Sequence, residues 1–213
     1  MFNAEVLVHP LYFGPISQFV AIVNATKVCF EVCDNFQKQT FRNRTYIYGA
    51  NGKLCLNIPI LHSGVKGTKR LYKDIQIEHQ FNTLKNHWKS LEAAYRSSPY
   101  FEFYEDDLKP LFEEKPRYLL DFNLKCTEFI FDCLQIDLAY SKTTSYELTA
   151  KDHSDFRSIA NAKKAHSPNK FDHYIQVFES KYGFLNNLSI LDLVFNEGPN
   201  TLTYLKNQSK YLI

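Results

Sequence analysis

The most polar stretch of this 213-residue chain is Asn35-Phe36-Gln37-Lys38-Gln39-Thr40-Phe41-Arg42-Asn43-Arg44. Arg42 and Arg44 alternate with Asn43, so in an extended segment both guanidinium groups project to one side. Such a fork matches the paired oxygens of a phosphate or carboxylate, and Gln37 and Asn43 supply amides that could orient it. The same alternation also suits an edge strand protected by charge. Just before the cluster come Glu31 and Asp34, which could serve as base and orienter, hold a divalent ion beside phosphates, or form an internal salt bridge. His9, in the loop His9-Pro10-Leu11-Tyr12-Phe13-Gly14-Pro15, is a third group able to move a proton; a structural loop histidine is the competing reading.

Two sites lie farther along. Residues 155–164, with Asp155-Phe156-Arg157 and Lys163-Lys164, could close over an anion as part of a mobile segment, or be a solvated loop with ordinary lysines. Asp192 is enclosed by Leu191, Leu193, Val194 and Phe195, so burying it requires a cation or a hydrogen-bond donor; an arginine of the 42–44 cluster could supply one. Other chemistry is absent as local motif. The histidines form neither H-x-x-x-H nor H-E-x-x-H, the five cysteines include no C-x-x-C, and no phosphate-cradling glycine loop or G-x-S-x-G occurs. The cysteines read as reduced, mostly buried thiols, and no cofactor or metal is named by these patterns.

The elements that must position these residues are strand-rich in residues 1–80 and mainly helical in 81–213. Residues 5–8 form a short apolar strand, and Ile16, Phe19, Val20 and Val23 recur at helical spacing behind Pro15. Residues 27–33 alternate Val28, Phe30 and Val32 with Cys29, Glu31 and Cys33, which predicts a second strand and a βαβ unit. Ligands of such units bind beyond the strand carboxyl ends, the edge that carries residues 9–15 and 34–44. Asn51-Gly52 between residues 46–48 and 54–60 predicts a hairpin with Asn-Gly as its turn. Further expectations are a loop at 62–70, short strands at 75–77 and 136–140, helices at 82–95 and 119–133, a surface excursion at 143–169, and helices at 174–184 and 188–196. The fold expected is one α/β domain, a mixed sheet packed by the helical half.

Lys and Arg number 25 against 23 Asp and Glu, a formal charge of +2, which argues against nucleic acid as partner. No window approaches the roughly 18 consecutive apolar residues of a spanning helix, and residues 1–10 do not read as a signal peptide. A cytoplasmic protein with a small anionic substrate and no membrane insertion is expected.

Several stretches together resemble the bacterial WbqC-like family in its short form. They are Tyr12-Phe13-Gly14-Pro15-Ile16, Gln37-Lys38-Gln39 with Arg42-Asn43-Arg44, Asn51-Gly52 with Ile58-Pro59, Lys73-Asp74-Ile75, His87-Trp88, Ser97-Ser98-Pro99-Tyr100-Phe101, and the run from Leu188 to Pro199. The resemblance implies a role in surface polysaccharide, notably O-antigen, biosynthesis, and a transferase acting on an amino sugar or nucleotide sugar. In that reading Arg42, Arg44 and Arg157 hold the anion with Tyr12, Gln37, Asn43 and Asp192, and His9, Glu31 or Asp34 handles a proton. A non-catalytic binding or accessory module of the same machinery is the alternative.

Overall fold

The structure, a computed structural model, describes residues 2–61, 69–150, 153–162 and 171–212. The apolar opening becomes strand β1 (Phe2–Val8), and the Pro15-led stripe becomes helix α1 (Ile16–Val23). The next alternating run becomes strand β2 (Ala25–Phe30), parallel to β1 with Val6 opposite Val28 and Val8 opposite Phe30. Those four side chains are buried in the same core as Phe19 and Val20 of α1. β2 ends at Phe30, so Glu31 and Cys33 lie just past the strand rather than within it.

Strand β3 (Arg44–Gly49) and strand β4 (Gly52–Asn57) form the antiparallel hairpin. Gly49 pairs with Gly52, so the two-residue turn is Ala50-Asn51, and the positive φ of +93° falls on Gly52 as the strand resumes. Asn-Gly thus marks the turn one residue late. At 75–77 a 3-10 turn (Tyr72–Asp74) leads into isolated bridges, Ile60 to Ile77 and Gln76 to Tyr118, in place of a strand. The loop expected at 62–70 falls largely on residues 62–68, outside the described residues.

Helices α2 (Thr83–Tyr95), α3 (Phe101–Glu113) and α4 (Leu119–Cys133) form the helical layer, burying Leu84, Leu91, Tyr95, Phe122, Cys126 and Ile130. Tyr12 and Phe13 enter this layer from the first loop, stacked on Phe122 and Phe112. Rings packed this way supply much of the core's apolar area.

The strand expected at 136–140 begins only at its end, as β5 (Tyr140–Lys142) beside β2. The 143–169 excursion also contributes to the sheet. Its strand β6 (Ser154–Asp155) pairs with β1, giving the parallel order β5-β2-β1-β6, and a 3-10 turn (Arg157–Ala160) follows. Ala160 and Ala162 are buried against Leu11 and Phe41, which pulls the segment onto the strand ends. Lys163, Lys164, His166 and Pro168 lie outside the described residues.

The helix expected at 174–184 is reduced to α5 (Glu179–Tyr182). Residues 173–176 instead alternate exposed and buried, and the two inward side chains, Tyr174 and Gln176, reach Asp192. Helix α6 (Ile190–Glu197) is capped by Ser189, whose hydroxyl accepts from Leu191 N–H. Helix α7 (Thr201–Asn207) follows a 3-10 turn at Gly198–Asn200. Among the described residues no helix is long and apolar enough to cross a membrane.

Gly198 ends α6 at φ +50°, ψ −122°, a region essentially reserved for glycine, and a Cβ there would stand 2.5 Å from the Tyr100 ring. Gly183, at φ +71°, has open space around it. Gly198→Ala is therefore expected to cost about 2–4 kcal/mol, and Gly183→Ala about 1–2 kcal/mol, the difference being the ring clash. Urea unfolding of the two variants checks this; equal costs would remove Tyr100 from the account.

Candidate active site

The carboxyl ends of β1 and β2 lead directly into His9 and Glu31, and the turn before β3 brings Arg42 beside them. Backbone and side-chain bonds fix this edge. Gln18 Nε2 donates to His9 O (2.7 Å), Tyr72 Oη to Pro10 O (2.7 Å), Tyr12 N to Phe41 O (3.1 Å), and Asn123 Nδ2 to Arg42 O (2.6 Å). The Arg42 guanidinium lies 5.6 Å from the centre of the Tyr72 ring.

Three charged or titratable groups meet there out of water. Arg42 Nη2 is 2.7 Å from Asp34 Oδ2 and 2.6 Å from His9 Nε2, and Nε2 is 3.0 Å from the same Asp34 oxygen. Arg42 is only 1% exposed, so its charge depends on Asp34. Burial, reinforced by the Arg42 charge, pushes the His9 pKa down to about 4 against the pull of Asp34, and the ring is neutral at neutral pH. Asp34 is itself held below the usual carboxylate range: burial would raise it, but the His9 hydrogen bond and the Arg42 charge prevail. A neutral ring either donates from Nε2 to Asp34 or accepts there from Arg42. In both tautomers Nδ1 is buried without a hydrogen-bond partner among the described residues, as is Arg42 Nε.

The triad lines a pocket of about 550 Å³ with Gln37, Tyr146, Leu148, Asp155, Arg157, Ser158, Ala160 and Asn161. Arg157 is clamped in the opposite wall. Its Nε donates to Asp155 Oδ1 (2.9 Å) and its Nη2 to Asp155 Oδ2 (2.6 Å), Nη1 reaches Glu147 O (2.7 Å), and Nη1 stands 3.4 Å from Glu31. Glu31 is buried below this wall, accepting from Thr143 Oγ1 and Cys33 N–H at 2.8 Å. Among the described residues the pocket lining carries two guanidiniums and two carboxylates, a charge-balanced surface rich in hydrogen-bonding groups.

Of the residues singled out in the sequence, His9, Asp34, Gln37, Arg42 and Arg157 meet in this pocket, with Glu31 attached through Arg157. Four others stand elsewhere. Residues 39–43 turn, with Gln39 at φ +61°, and β3 starts only at Arg44, so Arg42 and Arg44 form no common fork and Arg44 does not line the pocket. Asn43 donates to Asn57 Oδ1 and Ile58 O, holding the hairpin base. Tyr12 is fully buried with its hydroxyl 2.9 Å from His87 Nδ1. Asp192, 0% exposed, is bound by Tyr95 Oη (2.7 Å), Tyr174 Oη (2.5 Å) and Gln176 Nε2 (2.9 Å), hydroxyls and an amide in place of an arginine. Tyr146 and Leu148 were not singled out in the sequence, whereas Ser158 and Asn161 fall within the 155–164 segment expected to close over an anion.

Burial also pushes His87 down to about 4. His9 and His87 thus stay neutral in the folded chain down to about pH 4 while their unfolded counterparts titrate near pH 6.5. Between those values the unfolded chain binds the extra protons, so stability is full above about pH 6.5 and is lost as pH falls toward 4, by several kcal/mol in order of magnitude. Unfolding free energies against pH should show that slope, roughly halved in His87→Gln. A flat profile for the wild type would mean that both rings are protonated in the folded state, and a half-sized slope that one is.

A family model described as WbqC-like protein family matches residues 10–176. The match takes in Asp34, Gln37, Arg42 and Arg157, with His9 one residue before its start. No curated protein and no solved structure matches the chain. With most of its length under that match and the loop, arginine cluster and pocket of the matched region now in place, the chain belongs to the WbqC-like protein family.

Proposed function

We propose that the protein is a transferase of bacterial surface-polysaccharide assembly, of the O-antigen type, acting on a nucleotide sugar or amino sugar in the His9 pocket. The observation that carries this reading is a buried, neutral histidine with an unpartnered ring nitrogen, set beyond the carboxyl ends of two parallel strands. The balanced charge of the lining favours sugar hydroxyls and amides over a bare phosphate. A diphosphate would enter by displacing Asp155, which is exposed, from Arg157.

In this mechanism Gln37, Ser158 and Arg157 hold the sugar, with Tyr146 at the rim. His9 accepts the proton of the attacking hydroxyl or amine on Nδ1 once ligand entry uncovers that atom, which is buried in the free protein, and Asp34 at Nε2 stabilises the imidazolium as it forms. The low basicity of the resting ring makes this transfer concerted with departure of the donor's leaving group. Arg42 holds Asp34 and the ring in register. The accessory-module reading draws support from the arginines being already paired with carboxylates, as in a site that binds without reacting.

Thermal unfolding against nucleotide sugars and amino sugars, followed by product analysis, separates the two. A ligand at about a hundredfold over its Kd should add about 2.7 kcal/mol, roughly 5–10 °C for a chain of this size. Gln37→Ala and Arg157→Gln should reduce that shift. His9→Gln should keep most of it and lose turnover. A shift in the wild type without product would establish the binding module instead, and no shift with any sugar would sink both uses of the pocket.

A further inference from the structure

The sheet has a second face, away from α1, and in a parallel sheet such a face is ordinarily apolar. Here the ladder places Leu7 opposite Cys29 and Asp155, and Cys29 opposite Ser141, so Glu5, Leu7, Cys29 and Ser141 share that face. His153, immediately before β6, joins them. One ligand atom from each of Glu5, Cys29 and His153 lies within 4.8 Å of the other two. His153 Nε2 is 3.6 Å from Glu5 Oε2, the separation expected of two ligands that share one ion at about 2.1 Å each. Ser141 Oγ donates to the other oxygen, Glu5 Oε1, at 3.1 Å, which leaves Oε2 turned toward His153 and orients the carboxylate as an outer-shell partner would.

We propose that Glu5, Cys29 and His153 form a binding site for a single divalent transition ion of the zinc class. The donor set decides the class: thiolate and imidazole favour zinc, cobalt or nickel over magnesium and calcium, which take oxygen. Three protein ligands leave a fourth position for water or a substrate atom. Cys29 and His153 also line a cavity of about 230 Å³ with Lys142, Thr143, Thr144 and Glu147, into which that position can open. Binding forms the Sγ–metal bond and breaks Sγ–H, the proton passing to solvent. The three ligands are 24 and 124 residues apart in the chain, and only the pairing of β1 with both β2 and β6 joins them.

The site is independent of the sugar reading and is tested without turnover. Metal-free protein is titrated with Co²⁺ alone, then with Zn²⁺ in competition. One equivalent of Co²⁺ should give intense visible d–d bands of a four-coordinate ion and a near-ultraviolet thiolate charge-transfer band, both erased by Zn²⁺. Cys29→Ser should lose the charge-transfer band, and His153→Ala the four-coordinate bands. Ser141→Ala should weaken binding by about 10- to 100-fold. Cys55→Ser, which removes the exposed thiol, should change nothing. No thiolate band in the wild type, a band that survives Cys29→Ser, or one that vanishes in Cys55→Ser would overturn the proposal. Each variant's metal-free unfolding midpoint verifies that it folds.

Discussion

A guanidinium with almost no contact with water has to be neutralised within the protein, and much of the architecture around Arg42 follows from that constraint. Asp34 arrives from the end of β2, His9 from the end of β1, and the Tyr72 ring from the turn before α2 lies under the charge. Asn123 of α4 then holds the Arg42 carbonyl while its amide also meets Tyr72 Oη at 2.5 Å. One cation thus joins the sheet, the hairpin and the helical layer. It also sets the state of the histidine, because burial and the adjacent positive charge outweigh the carboxylate and keep the ring uncharged.

Asp192 shows the other way to bury a carboxylate. Among the described residues no cation faces it; burial raises its pKa, and three hydrogen bonds from Tyr174, Tyr95 and Gln176 offset part of that rise. Tyr95 Oη accepts in turn from Tyr48 N–H, so the hairpin, α2, the extended 171–176 segment and α6 share one network. The contrast is physical. Asp34 stays charged beside a cation at the mouth of a pocket, where a charge can act on a ligand, whereas Asp192 is sealed by its donors and organises the distal core.

Patterns that act over a few residues were readable in advance. The β1-α1-β2 unit, the hairpin, α2 and α4 each follow from an apolar period that one element can satisfy alone. The misreadings arose where a partner distant in sequence decided the backbone. Residues 171–176 stay out of a helix where Tyr174 and Gln176 both bond Asp192, and β6 is a strand where β1 offers an edge to pair with. The candidate site divides the same way. His9, Asp34 and Arg42 were visible as residue types next to predicted strand ends. The separation of Arg42 from Arg44 was not, since alternation assumes an extended path and residues 39–43 turn.

The 140–162 stretch links the two polar regions of the sheet. β5 lies beside β2 and β6 beside β1, and residues 142–145, 147, 150 and 153 border the cavity over the face that carries Leu7 and Cys29. Arg157 ties this cover down, donating to the Glu147 and Leu148 carbonyls and approaching Glu31 beneath. Arg157 lines the His9 pocket, and Glu31, which it approaches, lines the cavity of Cys29 and His153. A ligand that drew Arg157 away from Asp155 would loosen the contact with Glu31 and the hold on residues 147 and 148 together. Leu148 borders the first space and Glu147 the second, so one guanidinium holds the chain at the boundary between them.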